Sequence, residues 1–159
     1  MPGHIHIIMS RGGHLGSAVI RAFPPRSRWS HCGVMVDGQV IEARAFKGVV
    51  STPLTEFKDK ATAWEIIRLW APRPESGDSW ALSTVGAEYD WGGVVAIPFS
   101  DRQWQQEGQW YCSEHAAVYT RKAGNPVHKV PYARGVTPGH LESLLHAADG
   151  RVVERGGRA

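Results

Sequence analysis

Cysteine is almost absent: two residues, Cys32 and Cys112, in a chain of 159. A small secreted scaffold held together by disulfides needs more, so that class is excluded and each thiol needs its own explanation. Long apolar runs are also missing. None approaches the ~18 residues of a membrane-spanning helix, so no transmembrane segment is expected. The opening Met1-Pro2-Gly3-His4-Ile5-His6-Ile7-Ile8-Met9 has neither a basic stretch nor a long apolar core. It does not read as a signal peptide. The default location is cytoplasmic, unless a phage particle or a secretion machine delivers the protein outside. No Lys/Arg run interleaves with aromatics, so nucleic acid is not an expected partner. The glycines of Arg11-Gly12-Gly13-His14-Leu15-Gly16 are too loosely spaced for a phosphate loop. No cofactor is expected.

What is present is ordinary globular usage, 42% hydrophobic and 21% charged. The length suits a single domain over 1–159, with 151–159 a candidate flexible tail. The net charge of +3 would help binding to an anionic polymer such as cell wall or lipid. The pattern of elements predicts an α+β fold with a mostly antiparallel sheet. Strands are expected over Ile5–Met9, Ser30–Val36, Gln39–Arg44, Gly48–Ser51, Ala63–Trp70 and Gly150–Glu154. Helices are expected over Gly12–Phe23, from Thr52-Pro53 to Lys58 with Thr52 as N-cap, over Pro74–Ala87, over Tyr111–Ala123 and from Thr137-Pro138 to Ala147. Tyr89–Phe99, with Gly92-Gly93 and Pro98, reads as a loop.

Asp37-Gly38 lies between two strand-like runs, a strong hairpin signal because a type I′ turn needs positive φ at both central residues. That turn sets the register. Val34 pairs with Ile41, and continued pairing matches Gly33 with Glu42, Cys32 with Ala43 and His31 with Arg44. One face then carries Cys32, Val34, Val36, Ile41 and Ala43, all suited to a core. The other carries His31, Gly33, Met35, Val40, Glu42 and Arg44. His31 and Glu42 are diagonal neighbours about 7–8 Å apart at the backbone, within side-chain reach. A carboxylate on one ring nitrogen fixes the tautomer and leaves the other nitrogen as a base. Cys32 is expected to point into the core, away from His31.

Gln109-Trp110-Tyr111-Cys112-Ser113-Glu114-His115 puts Cys112 at or near a helix start. The unpaired N–H groups and partial positive charge there favour a thiolate and can hold an oxyanion. Metal readings are weaker. His4 and His6 share a strand face without a third ligand at suitable spacing. Cys112-x-x-His115 with His31-Cys32 resembles a zinc set, but His31 and Cys32 point apart on a strand. No metal is expected.

His31, then Glu42 eleven residues on, then Cys112 far downstream resembles the circularly permuted branch of the NlpC/P60 superfamily. That branch includes the YiiX/YaeF-like papain-like hydrolases and the lecithin retinol acyltransferase-like enzymes. The matching pieces are Ser30-His31-Cys32-Gly33-Val34, Val40-Ile41-Glu42-Ala43, Tyr111-Cys112-Ser113-Glu114 and Thr137-Pro138-Gly139-His140-Leu141. The first strand lacks the Gly-Asp start common in the group, and the group's third polar residue varies. The resemblance implies a permuted papain-like fold and a catalytic set of Cys112, His31 and Glu42. It also implies Tyr89 and Asp90 as site-lining residues, with His115 a further candidate for substrate contact. The expected activity is that of a bacterial or phage cysteine hydrolase, an amidase or endopeptidase on short cell-wall peptides such as those of peptidoglycan. Alternatives are a lipid acyl hydrolase, acyltransferase or thioesterase, with Trp91, Val94, Val95, Ile97 and Phe99 as its apolar rim, and an inactive binding module on the same scaffold.

Overall fold

The computed structural model describes residues 1–12, 27–90, 109–128 and 136–157. The expected helix over Gly12–Phe23 and the rim residues within 91–99 fall almost wholly outside them. Six strands and four helices occur among the described residues: β1 Gly3–Arg11, β2 His31–Val36, β3 Gln39–Arg44, β4 Gly48–Pro53, α1 Leu54–Lys60, β5 Ala63–Ala71, α2 Pro74–Ser83, α3 Cys112–Lys122, α4 Pro138–Ala147 and β6 Arg151–Gly157. The strands form one sheet in the order β4-β3-β2-β1-β5-β6, with every neighbouring pair antiparallel. No helix among the described residues is long and apolar enough to cross a membrane.

Alternation along the strands builds two apolar layers. Ile5, Ile7 and Met9 of β1, Cys32, Val34 and Val36 of β2, and Ile41 and Ala43 of β3 meet Ala81 of α2, Ala116, Ala117 and Tyr119 of α3, and Leu141 and Leu145 of α4. The opposite face is covered over part of its area by α1. There Phe57 and Leu54 pack on Ile8, Met35, Val40, Trp64 and Ile66. Gly77 lets α2 approach α3 closely, since a Cβ there would lie 2.9 Å from the Ala123 Cβ. Tyr119 Oη donates to Asp78 Oδ1 at 2.7 Å across the same crossing.

Asp37 and Gly38 take the positive φ values of 48° and 76° that the hairpin requires. The pairing Val36↔Gln39, Met35↔Val40, Val34↔Ile41 follows from that turn. The ladder ends at Val34↔Ile41 and does not continue to the expected Gly33, Cys32 and His31 pairs. β2 stays paired with β1 as far as Ser10↔His31, and β3 with β4 as far as Arg44↔Gly48. The two strands therefore part at this end of the sheet, and α3 packs against both.

Three other expectations need correction. Thr52 is not a helix cap: it lies in β4, and α1 follows Pro53 with no side-chain cap. A proline at that junction starts the helix without needing a donor. The helix from Pro74 stops at Ser83, and Gly86 at φ 93° turns the chain. Residues 151–157 do not form a loose tail; they are edge strand β6, paired with β5. Thr137 caps α4 as expected, its side chain accepting from the His140 N–H.

Gly48 ties the sheet to the segment leading to Tyr89. Its φ is +72°, and a Cβ would lie 2.1 Å from the Ala87 carbonyl oxygen. Val49 N–H donates to that carbonyl at 2.8 Å, and Gly86 N–H donates to the Val49 carbonyl at 2.9 Å. Gly48→Ala should therefore cost about 2–4 kcal/mol, through backbone strain and displacement of this contact. Urea unfolding of the variant beside the wild type measures it.

Candidate active site

The gap between β2 and β3 is where the expected residues meet. His31 opens β2 and Glu42 lies within β3. His31 Nε2 is 2.5 Å from Glu42 Oε2. The other carboxylate oxygen accepts from Thr52 Oγ1 at 2.6 Å. Glu42 is buried and His31 keeps about a quarter of its side chain exposed, 26%. The imidazole stacks on Phe57 of α1, with ring centroids 6.0 Å apart at 25°. Gly33 makes the crossing possible. A Cβ there would lie 2.4 Å from Val40 Cγ1 and 3.2 Å from the Glu42 Cβ.

Cys112 is the first residue of α3, after Tyr111, which has extended dihedrals and makes no side-chain cap. The first-turn N–H groups therefore have no cap from that side chain. His31 and Cys112 interact directly. Burial opposes the charge on His31, but the Cys112 thiolate and then Glu42 more than offset it, raising the pKa to about 10. Cys112 is held well below the usual thiol range. A hydrogen bond from Cys32 acts most strongly, opposed by burial and aided by the charge and hydrogen bond of His31. Glu42 also loses by burial, yet His31, Thr52 and the more distant Arg44 hold it below the usual carboxylate range. These shifts together favour an imidazolium between a thiolate and a carboxylate.

Cys32 is nearer this centre than its strand face implied. It points into the core as expected, but Cys112 also lies in that core layer. The two thiols are hydrogen-bonded neighbours, and both are free. Burial and the adjacent Cys112 push the Cys32 thiol well above its usual range, so it stays protonated and donates to Cys112. Cys112 thus meets both Cys32, on the core face, and His31, on the opposite face.

An open cleft of about 640 Å³ exposes the set, lined in part by Ser10, His31, Glu42, Phe57, Tyr89 and Cys112. Tyr89 is held there by a parallel bridge to Trp110. Asp90 and His115 do not line the cleft. Asp90 is fully buried, and its N–H donates to the Trp110 carbonyl at 3.1 Å. His115 is not a substrate-facing residue. It is fully buried, 2.8 Å from Thr84 Oγ1, and stacked on Trp80 at 4.9 Å. Burial lowers its pKa to about 3, so it is neutral. It lies one turn along α3 from Cys112, on the side facing α2 and its Thr84 cap. Thr52 and Phe57 escaped the sequence reading. The signal for Thr52 was the β3–β4 register, which pairs it with Val40, on the same face as Glu42 and two residues from it.

Among the described residues, one further group has metal-ligand spacing: Glu65, Glu142 and His146, with ligand atoms within 4.8 Å of one another. Arg28 already bridges the two carboxylates, at 2.9 Å to Glu65 and 2.7 Å to Glu142. A guanidinium holds the position a cation would take, so the group does not fit a metal.

No family model matches the chain, and no match is found among curated proteins. Among solved structures it is similar to the metalloprotein yiiX from Escherichia coli O157:H7, DUF1105. The TM-score is 0.56 at 20% identity, covering 80% of this chain and 70% of that one. The YiiX-like fold is shared.

Two substitutions separate site from scaffold. Thr52→Val should leave a buried carboxylate oxygen unpaired and cost about 1–3 kcal/mol, read by urea unfolding. His115→Ala should cost about 2 kcal/mol or more through the cavity it leaves, while the alkylation rate of Cys112 stays at the wild-type value.

Proposed function

We propose that the protein is a cysteine hydrolase working through an acyl-enzyme. Cys112 is the nucleophile, His31 the acid and base, and Glu42 the group that orients His31. The observation that carries this reading is the run Cys112–His31–Glu42–Thr52, linked by hydrogen bonds, along the wall of one open cleft. His31 Nε2 faces Glu42, so Nδ1 is the nitrogen left for the thiol. The Cys112 thiolate attacks a carbonyl carbon, and N–H groups at the start of α3 stabilise the oxyanion. Imidazolium gives its proton to the leaving amine as the C–N bond breaks. Neutral His31 then takes a proton from water, the hydroxide attacks the thioester, and the thiolate leaves. Thr52 and Phe57 hold Glu42 and the imidazole in place.

The fold reads as the permuted papain-like arrangement, because the strand bearing histidine precedes the helix bearing cysteine. The substrate class that suits it is a short peptide amide of the cell-wall kind. The cleft volume lies in the range of small-ligand sites. A lipid ester or thioester is the second reading, favoured by the apolar wall of Ala43, Ala45, Phe57 and Ala61. The structural neighbour is described as a metalloprotein. The steps above use only protein groups and water, and among the described residues Arg28 occupies the one group with metal-ligand spacing.

The charge state gives a pH signature. The ordinary thiol value is 9.0 and Cys112 lies well below it. A free thiol below its pKa gains reactivity about tenfold per pH unit. Cys112 should instead react with iodoacetamide at a rate that rises much less than tenfold per pH unit as the pH approaches 9, with Cys32 unlabelled. His31 keeps its proton until the pH rises through about 10, so turnover of an amide should fall above that value as the acid for the leaving amine is lost. His31→Ala should slow labelling near neutral pH by about a hundredfold or more. Cys112→Ala should abolish turnover of peptidoglycan fragments or, for the second reading, of phospholipid, with the melting temperature kept. Unaltered turnover in Cys112→Ala rejects the assignment.

A further inference from the structure

The cleft carries more positive charge than acyl transfer requires. Its lining includes Arg11, Arg44 and Lys60 against a single carboxylate, Glu42. Glu42 has both oxygens committed, to His31 and Thr52. Lys60 is paired with Glu56, and Arg11 Nε donates to Thr62 Oγ1 at 3.4 Å. The Arg44 side chain is half-buried, yet it makes no hydrogen bond or ion pair among the described residues. A half-buried guanidinium without a partner is uncommon, because its five donors lose water on burial.

Its position is specific. Arg44 stands two residues beyond Glu42 on β3, on the same face, one step nearer the parted end of the sheet. Arg11 follows Ser10, the partner of His31. β1 and β3 lie on either side of β2 in the sheet, and both arginines line the cleft that holds His31. We propose that Arg44, assisted by Arg11, receives a free carboxylate of the substrate, so that the cleft selects acyl compounds bearing a carboxylate near the scissile bond, such as a short acidic peptide. One unpaired guanidinium fork matches one planar carboxylate in a bidentate contact. A phosphate monoester carries more charge and three acceptor oxygens, and draws on a larger set of donors. This inference rests on the reading of the cleft as an acyl-transfer site.

Alkylation of Cys112 separates the two claims. Iodoacetate and iodoacetamide attack through the same thiolate and differ in one carboxylate. The ratio of their rates therefore cancels any change in thiolate fraction, including the effect of Arg44 on Glu42. Arg44→Gln should lower the iodoacetate-to-iodoacetamide ratio about fivefold to tenfold, and Arg44→Lys should retain most of it. Arg11→Gln should lower it less, and it serves as the test if Arg44→Gln does not fold. In the wild type, N-acetylglutamate should protect Cys112 from iodoacetamide at lower concentration than N-acetylglutamine or glycerol 3-phosphate. A ratio unchanged in both glutamine variants, or stronger protection by glycerol 3-phosphate, overturns the carboxylate assignment and leaves the nucleophile standing. Failure of both reagents to label wild-type Cys112 sinks the hydrolase reading and this inference with it.

Discussion

The His31–Glu42 hydrogen bond depends on two strands that pair at one end and part at the other. The Asp37-Gly38 turn holds β2 and β3 in register through Val34 and Ile41. Beyond that point each strand pairs only with its outer neighbour, β1 or β4. α3 packs on both strands there, and Gly33 removes the Cβ that would crowd Val40 and Glu42. A fully paired hairpin would have kept a histidine and a glutamate on one face and a cysteine on the other. In the parted arrangement His31 and Glu42 share one cleft with Cys112 of α3.

Charge then follows from geometry. Alone, a buried carboxylate or thiolate is costly. Here Glu42, His31 and Cys112 offset one another, and Thr52 and Cys32 supply the remaining donors. The neighbouring thiol has a chemical consequence. Cys32 stays protonated in the apolar layer and serves as a donor to Cys112, a role more often given to a backbone N–H or a side-chain amide. His115 shows the opposite outcome on the same helix. With an apolar aromatic box around it and only Thr84 near its Nε2, it is neutral and structural.

Much of the site was legible in the sequence because its parts are local. A two-residue turn fixes the register of adjacent strands near it, here through Val34 and Ile41, and that register pointed to His31 and Glu42 as neighbours on one face. The helical run expected over Tyr111–Ala123 placed Cys112 at or near a helix start. Thr52 was misread because Thr-Pro before a helical run is also a good cap. Only its pairing with Val40 shows that it belongs to a strand. His115 was misread because helical periodicity states which residues share a face, without stating what that face meets.

The amino-acid sequence by itself determined the hairpin register near its turn, the start of the helix that bears Cys112, the alternation that builds the core face, and the absence of any long apolar span. These are consequences of turn chemistry and of the two-residue and 3.6-residue periods, which act over a few neighbours. The tertiary structure alone decided where the ladder stops, that α1 lays Phe57 on His31, that the two cysteines meet, and that Arg44 makes no hydrogen bond or ion pair among the described residues. Each of those joins segments far apart in the chain, and their meeting is set by how the helices pack on the sheet rather than by any local preference.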